Sequence, residues 1–180
     1  MENQATSTQK DTGMITGLFN DKESSEGAYK SLRDRGYSDD DINVIMSDDT
    51  RKKYYANDAD SELGSKAAEG TGVGGAIGGT LGAIIAGIAA IGTNLVLPGL
   101  GLVVWGPLAA ALAGAGAGAL TGGLVGALVG WGIPEDHAVI YENGVKNGGT
   151  VIGVKPRSTG DAAALKTDWE TNHRGQNIYI

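Results

Sequence analysis

The stretch GAGAGALTGGLVGALVG, residues 114–130, decides how this chain is to be read. Glycine recurs at every fourth position, at Gly114, Gly118, Gly122, Gly126 and Gly130, with Ala115, Ala119, Gly123 and Ala127 running beside it. On an α-helix, residues four apart share a face, so such a row is a smooth groove that another backbone can approach closely. The same spacing occurs upstream. There Gly70, Gly74, Gly78 and Gly82 are continued by Ala86 and Ala90, with Gly75, Gly79, Ala83 and Gly87 alongside. Two such segments predict a glycine-zipper helical hairpin of the small-xxx-small kind.

Energetics explain why these helices need partners. A glycine inside a water-exposed helix costs about 0.8–1 kcal/mol against alanine. Nine or ten of them would cost about 8–10 kcal/mol, comparable with the stability of a whole domain. Close helix–helix packing must offset that cost.

Charge sharpens the same point. Glycine supplies 31 of 180 residues and the net charge is -7, yet no charged residue lies between Gly70 and Pro134. The flanks hold 15 acids and 9 bases up to Glu69, then 6 acids and 5 bases from Glu135 onward. Segments 70–92 and 107–131 are each long enough as helices to cross roughly 30 Å of hydrocarbon. Between them the expected tip, with Leu95, Leu97, Leu100, Val103 and Trp105, is apolar too, so it should stay in an apolar phase or pack into a partner. Trp105 and Trp131 are candidate interfacial anchors. Three surroundings fit this pattern: a lipid bilayer, a soluble homo-oligomer whose hairpins bury one another, or a monomer with an internal hairpin.

The flanks carry ordinary α/β signals. Residues 1–12 are polar and aperiodic, a tail without an apolar signal region. Residues 14–19 read as a strand. A helix capped by Asn20 or Asp21 follows, with Ala28, Tyr29 and Leu32 as its apolar stripe and Gly36 as its stop. Residues 42–46 read as a second strand, parallel to the first, and 47–69 as a polar loop or exposed helix start. Beyond the uncharged block, Pro134-Glu-Asp136 starts a helix with Pro134 at its first position, carrying Ala138, Val139, Tyr141 and Val145. A strand at 150–154, a helix over 158–172 with Ala162, Leu165 and Trp169 on one side, and a strand at 177–180 complete the order. The expectation is an α+β chain: a ferredoxin-like α/β sandwich with helices on one sheet face, interrupted by the glycine-zipper α-helical hairpin. Residues 13–64 and 134–180 would form its two halves and 65–133 the hairpin.

Chemistry-bearing motifs are thin. Gly70-Thr-Gly-Val-Gly-Gly75 matches G-x-G-x-x-G, but no strand precedes it and position 95 is leucine where an acid is needed. Asp58, Asp60 and Glu62 lack the remaining calcium-loop ligands. Asp39 to Asp41 reads as a turn cluster. His137 and His173 have no helical partner at i+4, and a surface role is the default for both. With no cysteine, thiolate chemistry is excluded. The acidic balance argues against nucleic acid, which requires a concentrated basic patch. No catalytic residue, cofactor site or metal site emerges.

The segments Ile15–Glu26, Leu32–Ser38 and Asp41–Ser47, with Thr50-Arg51, resemble the bacterial heat-induced or general stress protein domain. Gly132–His137, Tyr141–Gly144 and Gly148–Ile152 look like its C-terminal half, and with the glycine-rich middle the whole resembles low-temperature-induced stress proteins. The resemblance covers roughly 13–155, implies a stress-response context and a structural role, and carries no activity over. The resulting expectation is a non-enzymatic, self-assembling protein, a homo-oligomer in or at a membrane or as a closed particle. It would lie in the cytoplasm or on the cytoplasmic face of the inner membrane, a placement the Arg51-Lys-Lys53 island favours, and would not be secreted. The alternative is a membrane-anchored binding module whose sandwich recognises a small ligand or partner protein.

Overall fold

The computed structural model of the chain describes residues 13–59, 94–97, 101–115 and 122–180. Five elements come first along the chain. Strand β1 (Ile15–Phe19) leads into helix α1 (Lys22–Asp34), whose N-cap Asp21 accepts a hydrogen bond from the Ser24 N–H at 2.9 Å. Gly36, at φ +84°, ends that helix, and the 3-10 turn Asp39–Asp41 delivers the chain to strand β2 (Ile42–Ser47). Helix α2 (Asp48–Ala59) then opens on two aspartates, which suit the positive pole of a helix.

The uncharged block contributes strands β3 (Asn94–Leu97) and β4 (Leu102–Trp105), then helices α3 (Pro107–Ala115) and α4 (Gly123–Gly130). Helix α5 (Glu135–Lys146), strand β5 (Thr150–Val154), helix α6 (Thr159–Asn172) and strand β6 (Gln176–Tyr179) follow. Pro134 is the N-cap of α5 rather than its first helical residue.

The strands form one six-stranded sheet in the order β3-β4-β2-β5-β1-β6, and every pairing is antiparallel. Strands β1 and β2 point the same way, as expected, but do not touch. Strand β5 lies between them, with Val154 opposite both Ile15 and Ile42.

Strand alternation sorts the core into two layers. Ile15, Phe19, Ile42, Val44, Met46, Val103, Trp105, Ile152 and Val154 face α1, α2 and α6, where Tyr29, Leu32, Tyr55, Leu165 and Trp169 meet them. Leu18, Ile45, Leu102, Val104 and Val151 face the other way, against Leu108 and Leu112 of α3, Leu124 and Leu128 of α4, and Tyr141 and Val145 of α5. Helices therefore cover both faces of the sheet, not one. The reason is compositional: with apolar side chains at nearly every strand position, both faces must leave water.

Two expectations about the uncharged block change here. Within the expected tip, Asn94–Leu97 and Leu102–Trp105 pair as antiparallel strands that widen the sheet, with Trp105 opposite Val44. The segment 107–131 is not one long helix. Gly123 sits at φ +60°, outside helical geometry, so α4 starts afresh there with Gly122 as its N-cap. At 1.5 Å per residue those helices are only about 14 and 12 Å long. Among the described residues, no helix is long and apolar enough to cross a membrane.

Candidate functional site

The glycine rows divide by location. Gly70, Gly74, Gly75, Gly78, Gly79, Gly82, Gly87 and Gly118 lie outside the described residues, as does Leu100 of the expected tip. Gly114 falls in the last turn of α3. Gly122, Gly126 and Gly130 come together on α4 and its N-cap, and there the row is open.

Helix α4 reads GLVGALVG, with no polar side chain. Its inner positions Leu124, Ala127 and Leu128 are buried in the core layer between the sheet and α5. Its outer positions Gly122, Gly126 and Gly130 are exposed, and Val129 beside them is 43% exposed. Among the described residues, a methyl group at Gly126 or Gly130 would meet nothing within 4 Å. Gly122 differs, because a Cβ there would press on the Gly126 Cα at 2.9 Å. On α5, Val139 (41%) and Ile140 (38%) add exposed apolar surface.

Helix α5 holds α4 in place and is itself fastened by one phenol. The Thr16 hydroxyl lies 2.9 Å from the Tyr141 Oη, which donates to the Asn177 carbonyl at 2.6 Å. A phenol has one proton, so Thr16 must donate to Tyr141 for both bonds to form. Burial pushes the Tyr141 pKa up to about 12 against the lowering effect of the Thr16 bond, so the phenol keeps its proton. This chain of bonds ties α5 to β1 and β6 together.

Of the expected tip residues, Val103 and Trp105 prove to be core. Leu95 and Leu97 lie in edge strand β3, while Val103 and Trp105 of β4 are both 1% exposed. Trp105 is therefore no interfacial anchor, and Trp131 is half-buried against the second layer. Nor is the basic island at 51–53 an open cationic patch. Arg51 and Lys52 both pair with Asp48, at 2.7 and 2.6 Å, and Lys53 lies 4.9 Å above the Tyr54 ring.

Neither histidine is a plain surface residue. The His137 ring packs against Tyr179 at 5.0 Å, with its Nδ1 buried and lacking a hydrogen-bond partner. His173 lies over Gly27, where a Cβ would collide with its Nδ1 at 2.5 Å, and its Nε2 is 3.7 Å from Asp168. Among the described residues, no group of three or more histidines and acids could hold a metal ion.

No family model, curated protein or solved structure matches the chain.

Sequence reading passed over one side chain that organises this half of the molecule. Asn43 sits on β2, where the second-layer pattern calls for an apolar residue, and is 5% exposed. Its Oδ1 accepts from the Leu108 N–H at 2.7 Å and so caps α3 from the sheet, while its Nδ2 donates to the Gly153 carbonyl at 3.3 Å. The signal was a lone amide at an inward position of a strand.

Proposed function

We propose that this chain is a non-enzymatic structural protein that self-associates through its uncharged insertion, with the outer face of α4 as a contact surface. One observation carries the reading: Gly126, Gly130 and Val129 form an apolar helix face that nothing described in the chain covers. Each outer glycine costs about 0.8–1 kcal/mol of helix stability. A second copy presenting the same face would offset it by close packing. The net charge of -7 opposes association of two copies, so an uncharged face is where that repulsion costs least.

In this reading β2-β5-β1-β6, with α1 and α6, forms a ferredoxin-like core, supported by that strand order and its antiparallel pairing. The chain between β2 and β5 is its insertion. The stress-response context rests on the resemblance described above, and residues 70–92 are proposed to add the second glycine row.

Gly126→Leu tests the proposal, since its side chain projects into space that no described residue fills. Light scattering in detergent-free buffer should show an assembly for the natural chain and a smaller mass for the variant, with circular dichroism unchanged. Equal masses for the two proteins would remove α4 from the contact.

A further inference from the structure

Helix α5 and its cap carry the dipeptide Asn-Gly twice, at Asn143-Gly144 and Asn147-Gly148. A glycine leaves its own nitrogen open to attack on the carboxamide before it, and by that criterion the two are equivalent. The fold makes them different. Gly144 lies inside α5, where its N–H belongs to the helix ladder and its carbonyl accepts the Gly149 N–H at 2.9 Å. It packs closely on β1, since a Cβ there would collide with the Leu18 methyl groups. Asn147 is the exposed C-cap, at φ -87° and ψ 9°. No hydrogen bond among the described residues holds its carboxamide. Gly148 beyond it is at φ +95°, with its N–H on the Val145 carbonyl at 3.0 Å.

We propose that Asn147 is a site of spontaneous modification, deamidating through a succinimide with water as co-reactant, while the helix protects Asn143. The Gly148 nitrogen attacks the Asn147 Cγ and closes a five-membered ring. The carboxamide nitrogen leaves as ammonia, taking the proton that Gly148 gives up. Water then opens the ring at either carbonyl. Opening at Cγ leaves aspartate on an unaltered main chain. Opening at the main-chain carbonyl leaves isoaspartate, with the chain now running through Cγ. Closing the ring requires the Asn147 ψ to turn, which breaks the end bonds of Gly148 and Gly149, where a helix frays first. Asn143 requires those bonds, the ladder before them and the contact on Leu18 to open together. Either product places a carboxylate at the C-terminal pole of α5, the end that disfavours negative charge. Isoaspartate also adds a methylene to the main chain beside Gly149, where a Cβ would already lie 2.9 Å from the Gly144 carbonyl oxygen and 3.0 Å from Leu18 Cδ1. The turn between α5 and β5 then loses its fit against β1. The proposal does not rest on self-association.

The full chain, kept monomeric in mildly alkaline buffer, is followed over time by peptide mapping with mass spectrometry. Cleavage after Lys146 puts the two asparagines on separate peptides, and each deamidation raises a peptide's mass by the difference between water and ammonia. Asn147 should react at least about tenfold faster than Asn143, a factor that about 1.4 kcal/mol of extra opening cost at Asn143 already supplies. In urea beyond the unfolding midpoint the two rates should converge. The proposal is overturned if the folded chain reacts equally at both sites or faster at Asn143. It is equally overturned if Asn147 stays intact when folded while the unfolded chain reacts there. A tenfold ratio that persists in urea would assign the difference to the neighbouring Glu142 and Lys146 instead of the fold, and would overturn it too.

Discussion

At Gly106 the backbone has φ +91°, and an added methyl group would collide with the Ile42 carbonyl oxygen. Gly126, twenty residues on, has open space at the same position. The first glycine answers to the fold and the second does not, which is why only the second is a candidate for contact between copies. Gly106→Ala should cost about 2–4 kcal/mol, from left-handed strain together with overpacking. Gly126→Ala should be neutral or stabilise by up to about 1 kcal/mol through helix propensity. Urea denaturation at a concentration where the chain is monomeric checks both. A large loss at Gly126 would mean that its surroundings within one chain are not open.

Elements are joined by a few polar side chains, and two of these carry predictions. Asn43 caps α3 from a neighbouring strand, so Asn43→Ala removes the cap and strands the Leu108 N–H. A loss of about 1–2 kcal/mol should follow, read from the urea midpoint. Asp168 of α6 sits between α1 and α6, near Arg35 at 3.8 Å and His173 at 3.7 Å. Burial alone would raise its pKa, but hydrogen bonds from Asn172 and Ser31 and the charges of His173 and Arg35 outweigh burial and lower it. A carboxylate whose folded pKa is depressed contributes stability above its unfolded pKa and loses it as pH falls through the folded value. The natural chain should therefore lose more stability than Asp168→Asn as pH drops from about 5 toward 2, with the unfolded reference near 3.9. Parallel curves for the two proteins would remove Asp168 from the link between α1 and α6.

Over the whole molecule, legibility followed local chemistry. The cap at Asp21 and the stop at Gly36 mark their helix in sequence, and the structure places its boundaries beside them. Helix α2 was hard to see because its twelve residues carry no apolar stripe. In the uncharged block, the missing charge outweighed a strand signal in plain view. The β-rich runs Asn94–Leu97 and Leu102–Trp105 are separated by Pro98-Gly-Leu-Gly101, a turn composition that marks a β-hairpin. The break at Gly123 was hidden because a helix row and a left-handed turn both use glycine. Asn43 was invisible as a cap because the Leu108 N–H that it caps lies 65 residues later.

Among the described residues the glycine-row reading rests on a face of α4, and one measurement addresses it directly. The chain has no cysteine, so Val129→Cys places a single thiol on that face. Its alkylation rate by a maleimide should fall at least about tenfold as protein concentration rises into the assembled range, because the contact buries the thiol. A rate that stays constant while light scattering reports assembly would contradict the account.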